Sequence, residues 1–157
     1  MHYRKLGSRV TEEVSALGFG CMRLPTKDSS KEIDRGLAGP MLRYAIDNGV
    51  NYVDTAWPYH DEDSEPFLGE LLSGGYREKV LLATKLPTWK VEKPADLDYF
   101  IGEQLKRLRT DHIDFYLLHA LNAKHWDIVQ ESGALEWGER LKEQGTIRYF
   151  GFSFHDD

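Results

Sequence analysis

Five short apolar segments recur along the chain at nearly constant spacing. They begin near residues 16, 51, 80, 113 and 147, so that consecutive starts lie 35, 29, 33 and 34 residues apart. Segments that are continuously apolar, rather than alternating, are typical of strands buried on both faces of a parallel sheet. The repeat therefore predicts an α/β chain in which five strands alternate with helices through right-handed crossovers.

Helix signals fill the intervals between these strands. Proline favours helix starts, glycine favours helix ends, and apolar residues three and four positions apart mark a buried helix face. The predicted helices are residues 40–48 ending at Gly49, a helix capped by Ser64 and ending at residues 74–75, a helix opened by Pro94 with the stripe Leu97, Ile101, Leu105 and Leu108, and residues 134–144 ending at Gly145. The polar stretch 26–39 is predicted to be mostly loop, and residues 3–6 and 13–15 to form a β-hairpin.

Two architectures accommodate five such strands. A doubly wound open sheet of the flavodoxin type closes comfortably at about 150 residues. A (β/α)8 barrel needs eight strand–helix units and typically about 250 residues. The length of 157 residues favours the open sheet, whereas the residues at the strand ends favour the barrel.

The charge and the composition of the chain exclude several classes of function. The formal net charge of −6 argues against a nucleic-acid footprint or a basic membrane-binding face. No apolar run approaches the roughly 18 residues that suggest a membrane span, and no apolar segment follows the first residues as a secretory signal would require. Cys21 is the single cysteine, which excludes an internal disulfide and a cysteine-based zinc site. These features predict a cytoplasmic protein without a metal and without a nucleic-acid or membrane partner.

Ionisable side chains stand at the carboxyl ends of three consecutive predicted strands. Asp54 ends the second strand, Lys85 the third and His119 the fourth, and Tyr59 follows Asp54 by five residues. Each alone is more often a turn former, a packed loop residue or a solvated side chain than a functional group. Parallel strands present their carboxyl ends on one face, which is where ligands bind in both candidate folds. The four side chains are therefore predicted to form one site.

The chemistry of such a set is specific. A tyrosine phenol, with a pKa of about 10, is a weak acid at neutral pH, and a neighbouring ammonium lowers that pKa. An aspartate keeps a partly buried lysine charged, and a neutral histidine orients a carbonyl oxygen through a hydrogen bond. The set suits protonation of a carbonyl oxygen while a hydride attacks the carbon. Because no side chain donates a hydride, a nicotinamide cofactor is implied.

Several motifs occur in the same order as in a known enzyme family. They are residues 14–20 (VSALGFG), 51–56 (NYVDTA), 64–69 (SEPFLG), 83–85 (ATK), 114–119 (DFYLLH) and 147–153 (IRYFGFS). In these motifs the chain resembles the N-terminal part of an aldo-keto reductase, and the likeness covers essentially all 157 residues. Residues 20–25 (GCMRLP) and 152–156 (FSFHD) resemble a bacterial and archaeal branch whose full-length members often carry a C-terminal iron–sulfur domain.

The resemblance implies a parallel (β/α) barrel of the TIM type, preceded by an N-terminal β-hairpin that plugs its bottom. Residues 1–157 would supply an incomplete barrel with about five of the eight strand–helix units. The implied activity is reduction of a small aldehyde or ketone to an alcohol by hydride transfer from NADPH, with NADH as the alternative cofactor. The implied catalytic residues are Tyr59 as general acid, Lys85 as the cation that activates it, Asp54 as the anchor of Lys85, and His119 as the residue that orients the carbonyl. The implied cofactor contacts are Gly20, Cys21, Met22, Asp54 and Ser153.

The chain departs from the family pattern at three places. Phe154 and His155 follow Ser153, where family members usually have asparagine directly after the serine. Residues 60–63 (HDED) form an acidic loop, which is expected to be solvated and to lead into the next helix. The sequence stops just past the fifth strand, before the units that normally bind the cofactor's phosphates. The 157-residue chain is therefore expected to be a truncated piece, weakly active or inactive alone, that self-associates through open barrel edges.

Two other functions compete with the carbonyl reductase. One is a non-catalytic regulatory member of the same fold that binds the cofactor to sense redox state, and the complete set of four catalytic side chains argues against it. The other is a phosphoacceptor receiver domain of similar length. Its chemistry needs a pair of acids after the first strand to hold Mg²⁺, and residues 20–23 (GCMR) supply none.

Overall fold

The structure, a computed structural model, describes residues 1–28 and 30–155, so that Ser29 of the predicted loop and Asp156 of the last motif lie outside it. The strands are β1 (Tyr3–Lys5), β2 (Glu13–Ser15), β3 (Phe19–Gly20), β4 (Tyr52–Asp54), β5 (Leu81–Leu86), β6 (Ile113–Leu121) and β7 (Ile147–Phe154). The helices are α1 (Arg35–Asp47), α2 (Ser64–Leu71), α3 (Ala95–Leu108), α4 (Ala123–Ser132) and α5 (Ala134–Glu143). Single turns of 3₁₀ helix span Cys21–Arg23, Arg77–Lys79 and Thr88–Lys90.

The five main strands form one parallel sheet in sequence order, β3-β4-β5-β6-β7. Gly20 pairs with Asp54, Asp54 with Ala83, and Leu118 with Phe152, which aligns the carboxyl ends of neighbouring strands. A flavodoxin-type sheet would place the first strand between the second and the third. The observed order therefore confirms the barrel-type arrangement and excludes the doubly wound alternative.

The first residues form the predicted hairpin. Strands β1 and β2 pair antiparallel, with Tyr3 opposite Ser15. The hairpin is tied to the start of β4, because the Asn51 side chain accepts the Ser15 N–H at 2.7 Å and donates to the Glu13 carbonyl at 2.9 Å. Val14 joins the same buried cluster as Phe115 of β6. The hairpin thus packs at the end of the sheet where the strands begin.

The start of α1 corrects the prediction, because residues 35–39 are helical rather than loop. Asp34 caps the helix, and its carboxylate accepts the Leu37 N–H at 3.1 Å. Pro40 lies inside the helix instead of opening it. Proline normally forces the residue before it out of the helical conformation through a clash with that residue's Cβ, and Gly39 has none. The glycine thus allows the helix to continue through the proline.

Two further helix boundaries also differ from the prediction. Ser64 is the first residue of α2 and not its cap, because its hydroxyl is buried and bonds to Thr55 Oγ1 at 2.8 Å. The helix ends at Leu71, before the glycine pair at residues 74–75. Helix α4 was not predicted, although Asn122 caps it by accepting the His125 N–H.

Helices cover one face of the sheet and build the main core. Strand β5 is buried at every position, as the apolar run at residues 80–83 predicts, and the polar Thr84 and Lys85 near its end are buried as well. The α3 stripe is confirmed, since Leu97, Ile101 and Leu108 are buried. Within the described residues, β3 and β7 each pair on one side only, and self-association through these edges stays a prediction. No helix in residues 1–28 and 30–155 has the length and apolar character to cross a bilayer.

Candidate active site

The four predicted catalytic side chains meet at the carboxyl ends of the strands. Asp54 ends β4, Lys85 lies near the end of β5, His119 lies in β6, and Tyr59 lies in the turn between β4 and α2. The Lys85 Nζ is 2.7 Å from Asp54 Oδ1 and 3.3 Å from the Tyr59 hydroxyl oxygen. The Tyr59 and His119 rings stand edge to face with their centres 6.0 Å apart. The sheet order thus brings these residues together as the sequence predicts.

The Lys85 ammonium is held in one orientation. Its side chain is only 6% exposed, and a buried charge is costly unless it is paired and hydrogen-bonded. An ammonium has three donors, and here they reach Asp54 Oδ1, the Thr55 carbonyl oxygen at 2.7 Å and the Tyr59 hydroxyl oxygen. Asp54 supplies the countercharge at the mouth of the site. One donor of a fixed cation is therefore directed at the phenol oxygen.

His119 is neutral at physiological pH. Burial, followed by the positive charge of Lys85 and the nearby His155 and His125, lowers the pKa of His119 from 6.5 to about 4. A neutral imidazole donates from one nitrogen and accepts at the other. The buried Nδ1 atom has no hydrogen-bond partner among the described residues. Because the ring is neutral, a nitrogen that carries a proton can donate to a carbonyl oxygen without adding a charge.

The fall in the free energy of unfolding at acid pH should depend in part on His119. Unfolding returns the pKa of this imidazole from about 4 to 6.5, so the unfolded chain binds the extra proton between these pH values. The wild-type free energy of unfolding should therefore fall as the pH drops through this range, by on the order of 2 kcal/mol from this group. Urea unfolding at several pH values should show a shallower fall for His119→Gln. Parallel curves for the two proteins would contradict the assignment.

A strained residue next to His119 was not predicted. Ala120 has a left-handed φ of 52°, which a side chain bearing a Cβ adopts at a cost. Its N–H donates to Ser153 Oγ at 2.8 Å, and its carbonyl oxygen lies 2.6 Å from His125 Nδ1. Ser153 therefore ties β7 to the end of β6, while its own hydroxyl proton remains available for another acceptor. Trp89 completes this side, with its ring centre 5.1 Å from that of His119.

The predicted cofactor contacts that follow β3 differ in their exposure to solvent. Gly20 is exposed, and no heavy atom of another part of the chain lies within 4 Å of the place a Cβ would take. Met22 is 59% exposed, whereas the Cys21 side chain is fully buried, which raises the pKa of its thiol. Cys21 is therefore closed to a ligand at this edge, whereas Gly20 and Met22 are open to one. The open space over Gly20 and the available hydroxyl proton of Ser153 both suit a ligand at the carboxyl ends of the strands.

Two other features of the molecule do not compete with this site. A cavity of about 1230 Å³ lies at the opposite end of the sheet, where Arg77 and Arg148 pair with the buried Asp114. The acidic loop leads into α2 as predicted, but Asp61 and Asp63 each pair with a basic side chain. Across residues 1–28 and 30–155, no three His, Cys, Asp or Glu side chains are arranged to hold a metal ion.

Comparison with known proteins decides the family. The sequence profile of the aldo/keto reductase family matches residues 16–156. The chain belongs to this family. A relative among the curated proteins is the uncharacterized oxidoreductase YqkF of Bacillus subtilis, which is 34% identical over 98% of this chain and 49% of its own length. Probable aldo-keto reductase 1 of Glycine max is 34% identical over 95% of this chain and 44% of its own length.

Solved aldo-keto reductase structures share the fold. The holo form of AKR11C1 from Bacillus halodurans superposes with a TM-score of 0.80 at 34% identity, covering 98% of this chain and 50% of that protein. The aldo-keto reductase of Klebsiella pneumoniae in complex with NADPH gives 0.73 at 31% identity, covering 92% of this chain and 47% of that protein. The chain thus spans about half the length of the aldo/keto reductases that it matches.

Proposed function

We propose that this chain carries the site of an NADPH-dependent reductase that converts small aldehydes or ketones to alcohols. The observation that carries the proposal is the Lys85 ammonium, which contacts Asp54, the Thr55 carbonyl and the Tyr59 hydroxyl at once. This arrangement directs a fixed positive charge at one phenol oxygen. Such a group is useful where a proton must leave the phenol, as in the protonation of a carbonyl oxygen.

The residues on the site's edge suit a nicotinamide cofactor. Gly20 leaves open space over its backbone, and the hydroxyl proton of Ser153 is available to an amide oxygen. When bound, NADPH supplies the hydride that adds to the carbonyl carbon. The aldo-keto reductase from Klebsiella pneumoniae that shares this fold has been solved with NADPH and, separately, with NADP and acetate. These observations support NADPH as the cofactor and Gly20, Met22 and Ser153 as its contacts. The other two expected contacts, the fully buried Cys21 and the Lys85-bound Asp54, rest on the family resemblance alone.

Each of the four side chains has a separate task in the proposed reaction. His119, held neutral, donates a hydrogen bond that orients the carbonyl oxygen. Tyr59 transfers its hydroxyl proton to that oxygen as the carbon becomes saturated, which leaves a phenolate. Lys85 stabilises the phenolate across the 3.3 Å contact. Asp54 keeps Lys85 charged and in place. The product is an alcohol, and the phenol regains its proton from solvent.

The proposal is tested in a protein that carries residues 1–157 within a complete barrel, because the chain alone is expected to be weakly active or inactive. The measurement is the loss of NADPH absorbance with a panel of small aldehydes and ketones, together with analysis of the alcohol products. Lys85→Met is expected to lower turnover by about 10²-fold or more, because it removes the charge that stabilises the phenolate. Lys90→Met is a matched control, since Lys90 pairs with Glu62 at the surface and its loss should leave turnover within about twofold. NADPH binding without any alcohol product would favour a regulatory protein and would contradict the reductase.

A further inference from the structure

The turn that carries Tyr59 is strained. Three consecutive residues, His60, Asp61 and Glu62, have left-handed φ values of 53°, 51° and 71°. Residues with a Cβ rarely adopt this conformation, and it persists only where the surroundings hold it in place. These three residues follow Tyr59 directly in the chain. The position of the phenol hydroxyl thus depends on contacts that hold this turn from outside.

Arg107 of α3 holds the turn on both sides of Tyr59. Its guanidinium carbon lies 3.6 Å from the centre of the Trp57 ring, before Tyr59 in the chain. Its Nη2 atom donates to Glu62 Oε2 at 2.9 Å, after Tyr59. Its Nη1 atom lies 3.6 Å from the buried Glu65 Oε2 at the start of α2. A planar guanidinium can stack on an aromatic ring and bind carboxylates at its edge at the same time, which a lysine cannot.

The same helix also holds Lys85. Gln104, one turn before Arg107 and on the same face of α3, donates from Nε2 to the Lys85 carbonyl oxygen at 3.0 Å. The amide is itself fixed, because its Oε1 atom accepts the Tyr116 hydroxyl and its Nε2 atom donates to Glu65, both at 2.6 Å. Gln104 is fully buried. One helix therefore sets the positions of both partners in the Lys85–Tyr59 contact.

Other cations contact the turn at single points. Lys31 pairs with Asp61, Lys90 with Glu62, and Arg35 with Asp63, all through side chains more exposed than that of Arg107, which is 21% exposed. Exposed pairs of this kind contribute little to stability. Within the described residues, Arg107 is the cation that contacts the chain both before and after Tyr59.

We propose that Arg107 is a positioning residue that holds the Tyr59 hydroxyl against the Lys85 ammonium. The proposal rests on the proposed function, in which Tyr59 is the proton donor. It assigns to Arg107 no contact with substrate or cofactor. Its effect passes through the backbone of the turn, since it fixes Trp57 and Glu62 on either side of the phenol.

The test uses the full chain labelled with 3-fluorotyrosine, which places one ¹⁹F probe on each of the eight tyrosines. The spectrum of the Tyr59→Phe variant lacks one of the eight lines, and that line is assigned to Tyr59. In Arg107→Gln that line is expected to shift and to become about twofold broader or split, because the turn samples more than one position. Arg107→Lys should show the same change, since it keeps the positive charge but loses the planar guanidinium that stacks on Trp57 and binds Glu62. Arg109→Gln is the matched control, because Arg109 pairs with Glu70 at the surface, and it should leave the Tyr59 line unchanged.

Two outcomes separate this proposal from the proposed function. An unchanged Tyr59 line in folded Arg107→Gln overturns the positioning role, whatever the activity assays show. If all eight lines change because Arg107→Gln is unfolded, Glu62→Gln is used instead, since it weakens the Arg107–Glu62 contact from the other side. An unchanged Tyr59 line in folded Glu62→Gln then overturns the positioning role. Where NADPH oxidation is measured, Arg107→Gln should lower kcat by about 10- to 100-fold with KM little changed. If Tyr59→Phe has no effect on reduction, the proposed function fails and the ¹⁹F result still stands.

Discussion

In a complete barrel that contains this chain, replacing Tyr59 by phenylalanine is expected to lower kcat for carbonyl reduction by about 10³-fold, while the Kd for NADPH stays within about twofold of the wild-type value. The hydroxyl lies 3.3 Å from the Lys85 ammonium, and in the proposed reaction it acts only as the carbonyl oxygen takes a proton. An interaction made only in the transition state affects turnover and leaves ground-state binding unchanged. Steady-state kinetics and a fluorescence titration with NADPH measure the two quantities.

Tyr52→Phe is the matched control for this prediction. It removes the same atom from a tyrosine of β4 whose ring packs against Phe115, where burial raises the pKa of Tyr52 to about 12. This phenol is too weak an acid to donate a proton at neutral pH, so its loss should leave kcat little changed. Equal falls in kcat for the two variants would show that the effect is structural. A parallel loss of NADPH affinity in Tyr59→Phe would also remove Tyr59 from the role of proton donor.

The strands and the site were predictable on physical grounds, whereas the sequential strand order was expected only from the family resemblance. Strands buried on both faces need continuous apolar sequence, and β5 shows such burial at every position. Parallel strands must end on one face, so Asp54, Lys85 and His119 could be placed together before any coordinates were known. The helix boundaries were less predictable, because the start of α1 depends on Asp34 as a cap and on Gly39 relieving the clash with Pro40.

The residues that hold the site in place were not predictable from sequence. Left-handed φ values at His60, Asp61 and Glu62 carry only a weak residue signal, since His and Asp are enriched in that conformation but glycine is its usual marker. Arg107 lies near the end of an amphipathic helix, where a basic residue normally serves the helix dipole or faces solvent. Arg107 can donate to Glu62 only because α2 and α3 pack together and bring the two side chains within hydrogen-bond distance. Residues that position others are set by tertiary contacts, which a local pattern does not encode.

Gly69→Ala is expected to destabilise the fold by about 3 kcal/mol or more. Gly69 lies where α2 crosses the end of α3, and a Cβ added there would stand 2.2 Å from the Arg107 carbonyl oxygen and 2.8 Å from the Leu108 carbonyl carbon. These are backbone atoms, so no side-chain rotation relieves the overlap and the two helices must move apart. Urea unfolding followed by far-ultraviolet circular dichroism measures the change.

Gly102→Ala is the matched control in the helix that Gly69 contacts. Gly102 lies within α3, and nothing outside its own helix stands within 4 Å of the place its Cβ would take. Alanine there should raise the free energy of unfolding by up to about 1 kcal/mol through helix propensity. The two substitutions add the same methyl group but are expected to change the free energy of unfolding in opposite directions. Because Gly69 contacts α3 at Arg107 itself, the folded fraction of Gly69→Ala should also show the altered Tyr59 ¹⁹F line. Equal denaturation midpoints for Gly69→Ala and the wild type would contradict the close helix approach.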